Sequence, residues 1–224
     1  MRVSVSPDKH AFSNLYLEFS MTNPSHKLFM NILTFWFGDI NSDGTISKEI
    51  AARWYRKEKS FDNDIRRQFI GVWESINKSN ISNWTVSLVG KLALVIVLDQ
   101  FSRNMFRNSP RSFEKDSFAL ELTLCGLEQK MDQQFKQIER QFFYMPLMHS
   151  ENIEHQKISI QCFERLVAES TGSLQDRFKN TLRYAHLHEE IIQRFGRYPH
   201  RNEILGRKST SEEVAFLKQP HSRF

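Results

Sequence analysis

Cysteine is nearly absent: Cys125 and Cys162 are the two in 224 residues, and neither has a second thiol nearby in sequence. That excludes a disulfide framework and a zinc ribbon and fits a reducing cytoplasm. Long hydrophobic runs are absent too. The longest, LALVIVL over residues 92–98, is closed off by Lys91 and Asp99, far short of the about twenty apolar residues that span a bilayer. The N-terminal stretch MRVSVSPDKHAFSNLYLEFS has no apolar core of signal-peptide length. Met21 opens a more patterned region, so residues 1–20 read as an N-terminal extension or a mis-set start ahead of a single domain over 21–224. With 8 glycines and 6 prolines, no segment of two-residue period and no low-complexity linker, neither a β architecture nor a two-domain chain finds support.

What the chain does have is bulk for one large core. Apolar residues make up 40% of it, with 19 phenylalanines and 4 tryptophans, and each aromatic buries on the order of 150–250 Å². The net charge is +5 with a pI near 9.2, and the basic excess gathers after Ser173. Ordinary soluble enzymes reach such a charge, so it is a weak argument for a nucleic-acid partner, which is not expected.

Apolar spacings of three and four predict helices along almost the whole chain. PSHKLFMNILTFWF gives a helix over 24–37, capped by Thr22 or Asn23 and stopped at Gly38. Ile65, Phe69, Val72, Trp73 and Ile76 stripe another, and 86–107 reads as a buried central helix. Ser109 and Pro110 are expected to cap a helix striped by Phe113, Leu120, Leu124, Leu127 and Met131. Pro146 is expected to break one helix and Ser150 to precede the next, with Glu151 and Glu154 in its first turn, where acids are favoured. A long helix from Ser173 ends at Gly196, and TSEE over 210–213 is a capping box. The expectation is one all-α domain of roughly seven to ten helices, with no internal repeat visible.

Polar residues gather at the ends of these helices. Asp99, Arg103 and Arg107 stand four apart on one face. They form either a register-fixing ion pair or a grip in which Arg103 or Arg107 is left for an anion. His149, beside a helix start, is expected to be neutral. With Glu151 it makes the H-x-E of zinc deaminases, but the required P-C-x-x-C is missing. His186 and Glu190 have ligand spacing without further ligands, so neither a metal nor a cofactor is expected. His188 lies on the apolar side of its helix and needs a partner, for which Glu151 or one of the arginines' carboxylate partners is a candidate. The stretch RFGRYPHRNEILGR over 194–207 concentrates Arg197, His200, Arg201, Asn202 and Arg207 around Gly196 and Pro199. Guanidinium forks beside a helix start make an anion site, or else they cap carbonyls and brace loops.

Four segments, ILTFWFGD, LDQFSRNMFR, FFYMPLMHSE and FGRYPHRNEILGRKSTSEEVAFL, resemble in order the bacterial family called domain of unknown function 924. The resemblance runs from about Met21 over nearly the whole chain, leaving out residues 171–176. It implies a single all-helical domain of antiparallel helical hairpins in the tetratricopeptide-like superfamily and no assigned activity. It carries over to Asp99, Gln100, Arg103, Asn104 and Arg107, to Pro146, His149 and Glu151, and to His188, Gly196, Arg197, Pro199, His200, Arg201, Asn202 and Arg207. The leading expectation is a protein that binds a small anion or an acidic peptide end in a pocket of these arginines and histidines. The alternatives are a hydrolase or phosphate-ester enzyme with His149 or His200 as acid/base and Glu151 as orienter, an RNA-binding face, and a purely structural polar core. A single site requires Arg103 or Arg107, His149, His188 and Arg201 to converge. An Arg201 facing an open pocket would tolerate truncation to alanine far better than Asp99 would tolerate loss of its charge.

Overall fold

The computed structural model describes residues 24–220 and 222, so the expected cap at Thr22 or Asn23 and the extension over 1–20 lie outside the described residues. Within them the chain is all helical, with no strand. Helix α1 (Pro24–Phe37) buries Phe29, Ile32, Leu33, Trp36 and Phe37, the three-and-four spacing that made it legible. It stops at Gly38, whose φ of +60° is the left-handed conformation glycine tolerates. Short α2 (Lys48–Arg53) follows, then α3 (Lys59–Ser75), which buries Phe61, Ile65, Phe69 and Trp73.

After α4 (Ser82–Thr85) comes the centre of the molecule. Helix α5 (Leu88–Val95), capped by Ser87, runs without a break into a π-helical segment (Ile96–Phe101) and then α6 (Ser102–Met105). Every residue from Leu92 to Phe101 is buried, as expected of a helix apolar on all sides. The π turn was not anticipated: an inserted residue leaves the apolar run intact and shows only in backbone hydrogen bonding. Against this centre pack α1, α3, α7 (Asp116–Glu128) and α8 (Gln137–Met148). Helices α9 (Ile153–Ala168) and α10 (Gly172–Phe195) form a tight hairpin, with α8 against α9. Gly196 ends α10 in the left-handed region, a short 3-10 turn occupies Pro199–Arg201, and α11 (Ser211–Phe216) opens on the capping box of Thr210 and Glu213. This C-terminal stretch builds a small second core of Ile191, Ile192 and Tyr198, flanked by Ile153, Phe195 and Phe216.

Several local expectations are corrected. Ser109 caps a 3-10 turn (Pro110–Ser112), and α7 begins only at Asp116. Its buried face is Phe118, Ala119, Thr123 and Gly126. The leucines at 120, 124 and 127 are half-buried and pack against the same core, while Gly126 admits the Phe143 ring, where a Cβ would sit 2.5 Å from it. Pro146 does not break α8, which carries it in the last turn and ends at Met148. Helix α9 is capped by Asn152, so Glu151 lies ahead of it instead of within its first turn.

One packing prediction arises here. A Cβ on Gly90 would stand 2.3 Å from the Trp84 carbonyl oxygen and 3.0 Å from the Phe29 ring. Gly90→Ala is therefore expected to lower stability by about 1–3 kcal/mol despite alanine's better helix propensity, read by urea denaturation. An unchanged or raised midpoint would show that α4 moves away at little cost.

Candidate functional site

Asp99 sits in the π-helical segment with 0% of its surface exposed. Burial by itself would raise its pKa, but the charges of Arg103 and His149 and the hydrogen bonds from His149 and Gln100 pull it down to about 2. Its Oδ1 accepts from His149 Nδ1 at 2.7 Å and lies 3.1 Å from Arg103 Nη1, while Oδ2 accepts from Gln100 Nε2 at 2.6 Å. Arg103 also donates to the Asp99 carbonyl at 3.0 Å and makes a two-pronged pair with the Asp116 carboxylate, both contacts 2.9 Å. Burial would lower the Arg103 pKa, but Asp116 and Asp99 hold it above the ordinary arginine range.

His149 is the residue that closes α8. Its pKa is pushed below the usual histidine value by burial first and by Arg103 second, against the opposing pull of Asp99. The neutral form is thus favoured as expected, but burial and Arg103 replace the anticipated helix start as the cause. Arg201, in the 3-10 turn, donates from Nη2 to the His149 carbonyl at 2.9 Å, and its Nη1 lies 3.7 Å from Asp116. Its guanidinium carbon stands 4.7 Å from the Phe113 ring centre and 4.5 Å from that of Tyr198. Arg201 is 7% exposed, and its Nε has no hydrogen-bond partner among the described residues. Burial and the neighbouring Arg103 lower its pKa. An arginine facing an open pocket is not what the structure shows.

The rest of the C-terminal motif hangs on Tyr198 and Glu151. Arg207 grips Glu151 with both prongs at 2.6 and 2.9 Å, and Glu151 also accepts from the Tyr198 backbone N–H at 2.8 Å. Burial raises the Glu151 pKa, but the Arg207 hydrogen bond and the Tyr198 N–H more than offset it, leaving it below its ordinary value. The Tyr198 hydroxyl donates to the Met148 carbonyl at 2.6 Å and accepts from Gln156 at 2.9 Å. His188 bonds the Tyr184 carbonyl at 2.7 Å. Its ring meets Tyr198 edge-on at 5.5 Å, and burial drives its pKa to about 3. His200 packs on the other side of Tyr198, ring centres also 5.5 Å apart.

The structure thus draws Asp99, Arg103, His149, Glu151, His188, His200, Arg201 and Arg207 into one contiguous polar assembly where the π segment, the end of α8 and the 199–207 turn meet. It sets the others apart. Asn104 and Arg107 both bind Asp62 on α3, Arg107 with two contacts of 2.5 and 2.9 Å, so Arg107 is engaged as a brace. Arg197 pairs doubly with Glu213 on α11, and Asn202 bonds Ser209 at 3.1 Å. Sequence reasoning missed Asp116, Asp62, Phe113, Tyr198 and Gln156. For Asp116 the usable signal was an acid in a first helical turn; nothing in sequence ties it to Arg103 and Arg201.

Two surface clefts, of about 360 Å³ along Ser117–Glu128 on α7 and about 340 Å³ around 40–44 and Lys136, lie away from the assembly. Among the described residues no group of three or more His, Cys, Asp or Glu could hold a metal, and no helix is long and apolar enough to cross a membrane.

The chain has relatives in sequence and in fold. The family described as bacterial protein of unknown function (DUF924) matches residues 32–221, and the chain belongs to that family. A solved structure titled protein of unknown function ATU0120, from Agrobacterium tumefaciens, is similar at 28% identity with a TM-score of 0.70. The match covers 87% of this chain and 98% of that one. No curated protein matches the chain.

Proposed function

We propose that the chain binds a small anion, such as a carboxylate, a phosphate or an acidic peptide end, against Arg201 and Arg103. The observation that carries this is Arg201: buried, repelled by Arg103, 3.7 Å from its nearest carboxylate and with an unpartnered Nε. Proteins rarely bury a guanidinium so incompletely answered. By contrast Arg103, Arg107, Arg197 and Arg207 each have a two-pronged carboxylate, so that Arg103 adds charge at the site and Arg201 alone among them is left incompletely answered. Asp116, whose side chain is 22% exposed, spans Arg103 and Arg201 as a bound carboxylate would. The successive packing of α8, α9 and α10 supports reading the scaffold as tetratricopeptide-like, and free Cys125 and Cys162 support a reducing, cytoplasmic setting.

The test is thermal. Phosphate, sulfate or a small dicarboxylate is expected to raise the melting temperature with concentration, following RT ln(1 + [L]/Kd). The shift vanishes in Arg201→Met and persists in the surface control Lys218→Ala. A panel that shifts nothing, or shifts both variants alike, removes the site and leaves the arginines as braces. Asp116→Asn carries a second expectation. Removing the internal competitor should tighten anion binding about tenfold, the equivalent of roughly 1.4 kcal/mol, at a modest loss of stability. Weaker binding would instead make Asp116 part of the site.

The alternative of hydrolase or phosphate-ester chemistry draws support from the Asp99–His149 hydrogen bond, the relation of an orienting carboxylate to a general base. In that reading Asp99 takes the orienting role first given to Glu151, which is committed to Arg207.

A further inference from the structure

The imidazole of His149 has two faces, and one of them is used. Nδ1 lies 2.7 Å from Asp99 Oδ1. An ionised carboxylate only accepts hydrogen bonds, so Nδ1 must carry the proton. In a neutral ring Nε2 is then a bare lone pair. The ring makes its hydrogen bond among the described residues through Nδ1, and the side chain keeps 13% of its surface exposed. Arg103 Nη1 touches the same Asp99 oxygen that holds the ring, and Arg201 is fastened to the His149 backbone carbonyl. The donors of two guanidinia and one hydrogen-bond acceptor are therefore fixed on a common frame, with Asp99 rigidly buried beneath them.

A frame that offers only cationic donors is indifferent to whether an anion carries a hydrogen. One with an acceptor beside the donors is not. We infer that the ligand is an oxyanion bearing its own O–H, either a singly protonated phosphate or a 2-hydroxy carboxylate, and that His149 Nε2 accepts that hydrogen bond while Arg201 and Arg103 hold the charge. This rests on the anion-binding reading and adds the class of ligand to it. The discriminating force is the cost of facing a lone pair against an anion oxygen with no hydrogen between them. Sulfate matches phosphate closely in shape but carries no proton at neutral pH, so it meets that repulsion and phosphate does not. A hydrogen bond to a charged group shifts affinity by about tenfold to a hundredfold.

The experiment is calorimetric titration of the full chain at neutral pH with inorganic phosphate, sulfate, 2-hydroxyacetate and acetate. Phosphate is expected to bind at least about tenfold more tightly than sulfate, and 2-hydroxyacetate more tightly than acetate. Whichever pair shows the larger ratio separates the phosphate from the hydroxy-acid source. His149→Asn keeps an N–H for Asp99 and loses the distal acceptor, so both ratios should fall to near one, with sulfate affinity raised as the repulsion is lifted. Ratios near one in the unaltered chain, with measurable binding, overturn the inference and leave the anion site standing. No binding by any of the four overturns both. A readout that needs no variant is the nitrogen spectrum of the His149 ring, expected to show Nδ1 protonated and Nε2 bare, with Nε2 responding to phosphate and not to sulfate. A protonated Nε2 in the neutral ring overturns the proposal outright.

Discussion

Asp99→Asn is expected to destabilise the fold by about 3 kcal/mol or more, lowering the melting temperature by about 6–12 °C for a chain of this size. The carboxylate has no contact with water and serves three partners at once: His149, Arg103 and Gln100. The amide can still accept from His149, and Arg103 keeps its double contact with Asp116. What is lost is the negative charge that balances Arg103 inside the π segment, and half of a hydrogen-bonding pattern that Gln100 completes. A loss below about 1 kcal/mol, the range of an exposed pair, would mean that water reaches this part of the interior.

The same substitution has a pH signature with a definite sign. Asp99 has an ordinary pKa of 3.8 and a folded one of about 2. Its stabilising effect is therefore complete above the unfolded value and lost as pH falls from about 4 toward 2. His188 acts in the same direction over another range. Its folded pKa of about 3 lies below the ordinary 6.5, so stability declines with acid from about pH 6.5 downward. Subtracting the curve of Asp99→Asn from that of the unaltered chain isolates the lower window. A difference that stays constant from pH 5 to 2, measured by urea denaturation, would show that Asp99 is not the group that titrates there.

The helical class and most element positions were legible because they follow from short-range patterning. Phe29, Ile32, Leu33, Trp36 and Phe37 recur at three and four, and Thr210 with Glu213 forms its cap within four residues. The joints were less legible, for a physical reason in each case. Pro146 was read as a break because proline forbids a hydrogen bond, yet near a helix end little is forfeited. The leucine stripe of α7 does meet the core, but its deepest residues escape the pattern because Gly126, with no side chain, is the one that lets Phe143 in. A single site requires Arg103, His149, His188 and Arg201 to lie together, and the fold brings them into one polar assembly. The partners of the arginines could not be read, since Asp116 and Asp62 are joined to Arg103 and Arg107 by tertiary contacts that leave no trace in spacing.

Arg201→Met is the substitution on which site and brace differ in sign. If Arg201 is held for structure, its hydrogen bond to the His149 carbonyl and its place between Phe113 and Tyr198 make it a clamp. Replacing it then costs about 3–5 kcal/mol, as for any buried pair broken on one side. If it is held for a ligand, its charge is a burden on the empty fold, repelled by Arg103 and answered by Asp116 at 3.7 Å and by the field of Glu151, which is itself committed to Arg207. Methionine has a similar unbranched stem and fills the same slot between two aromatic rings without a charge to desolvate. The expected result is an unchanged or raised stability, by up to about 2 kcal/mol, together with loss of the anion-induced rise in melting temperature. The orphaned His149 carbonyl sets the limit on that gain, at about 1–3 kcal/mol for an unmet buried acceptor. Stability and ligand response must be measured on the same preparation, because only their opposite movement identifies a residue kept against the interest of the fold. A large loss of stability would assign Arg201 to the scaffold and take the central donor out of the proposed site.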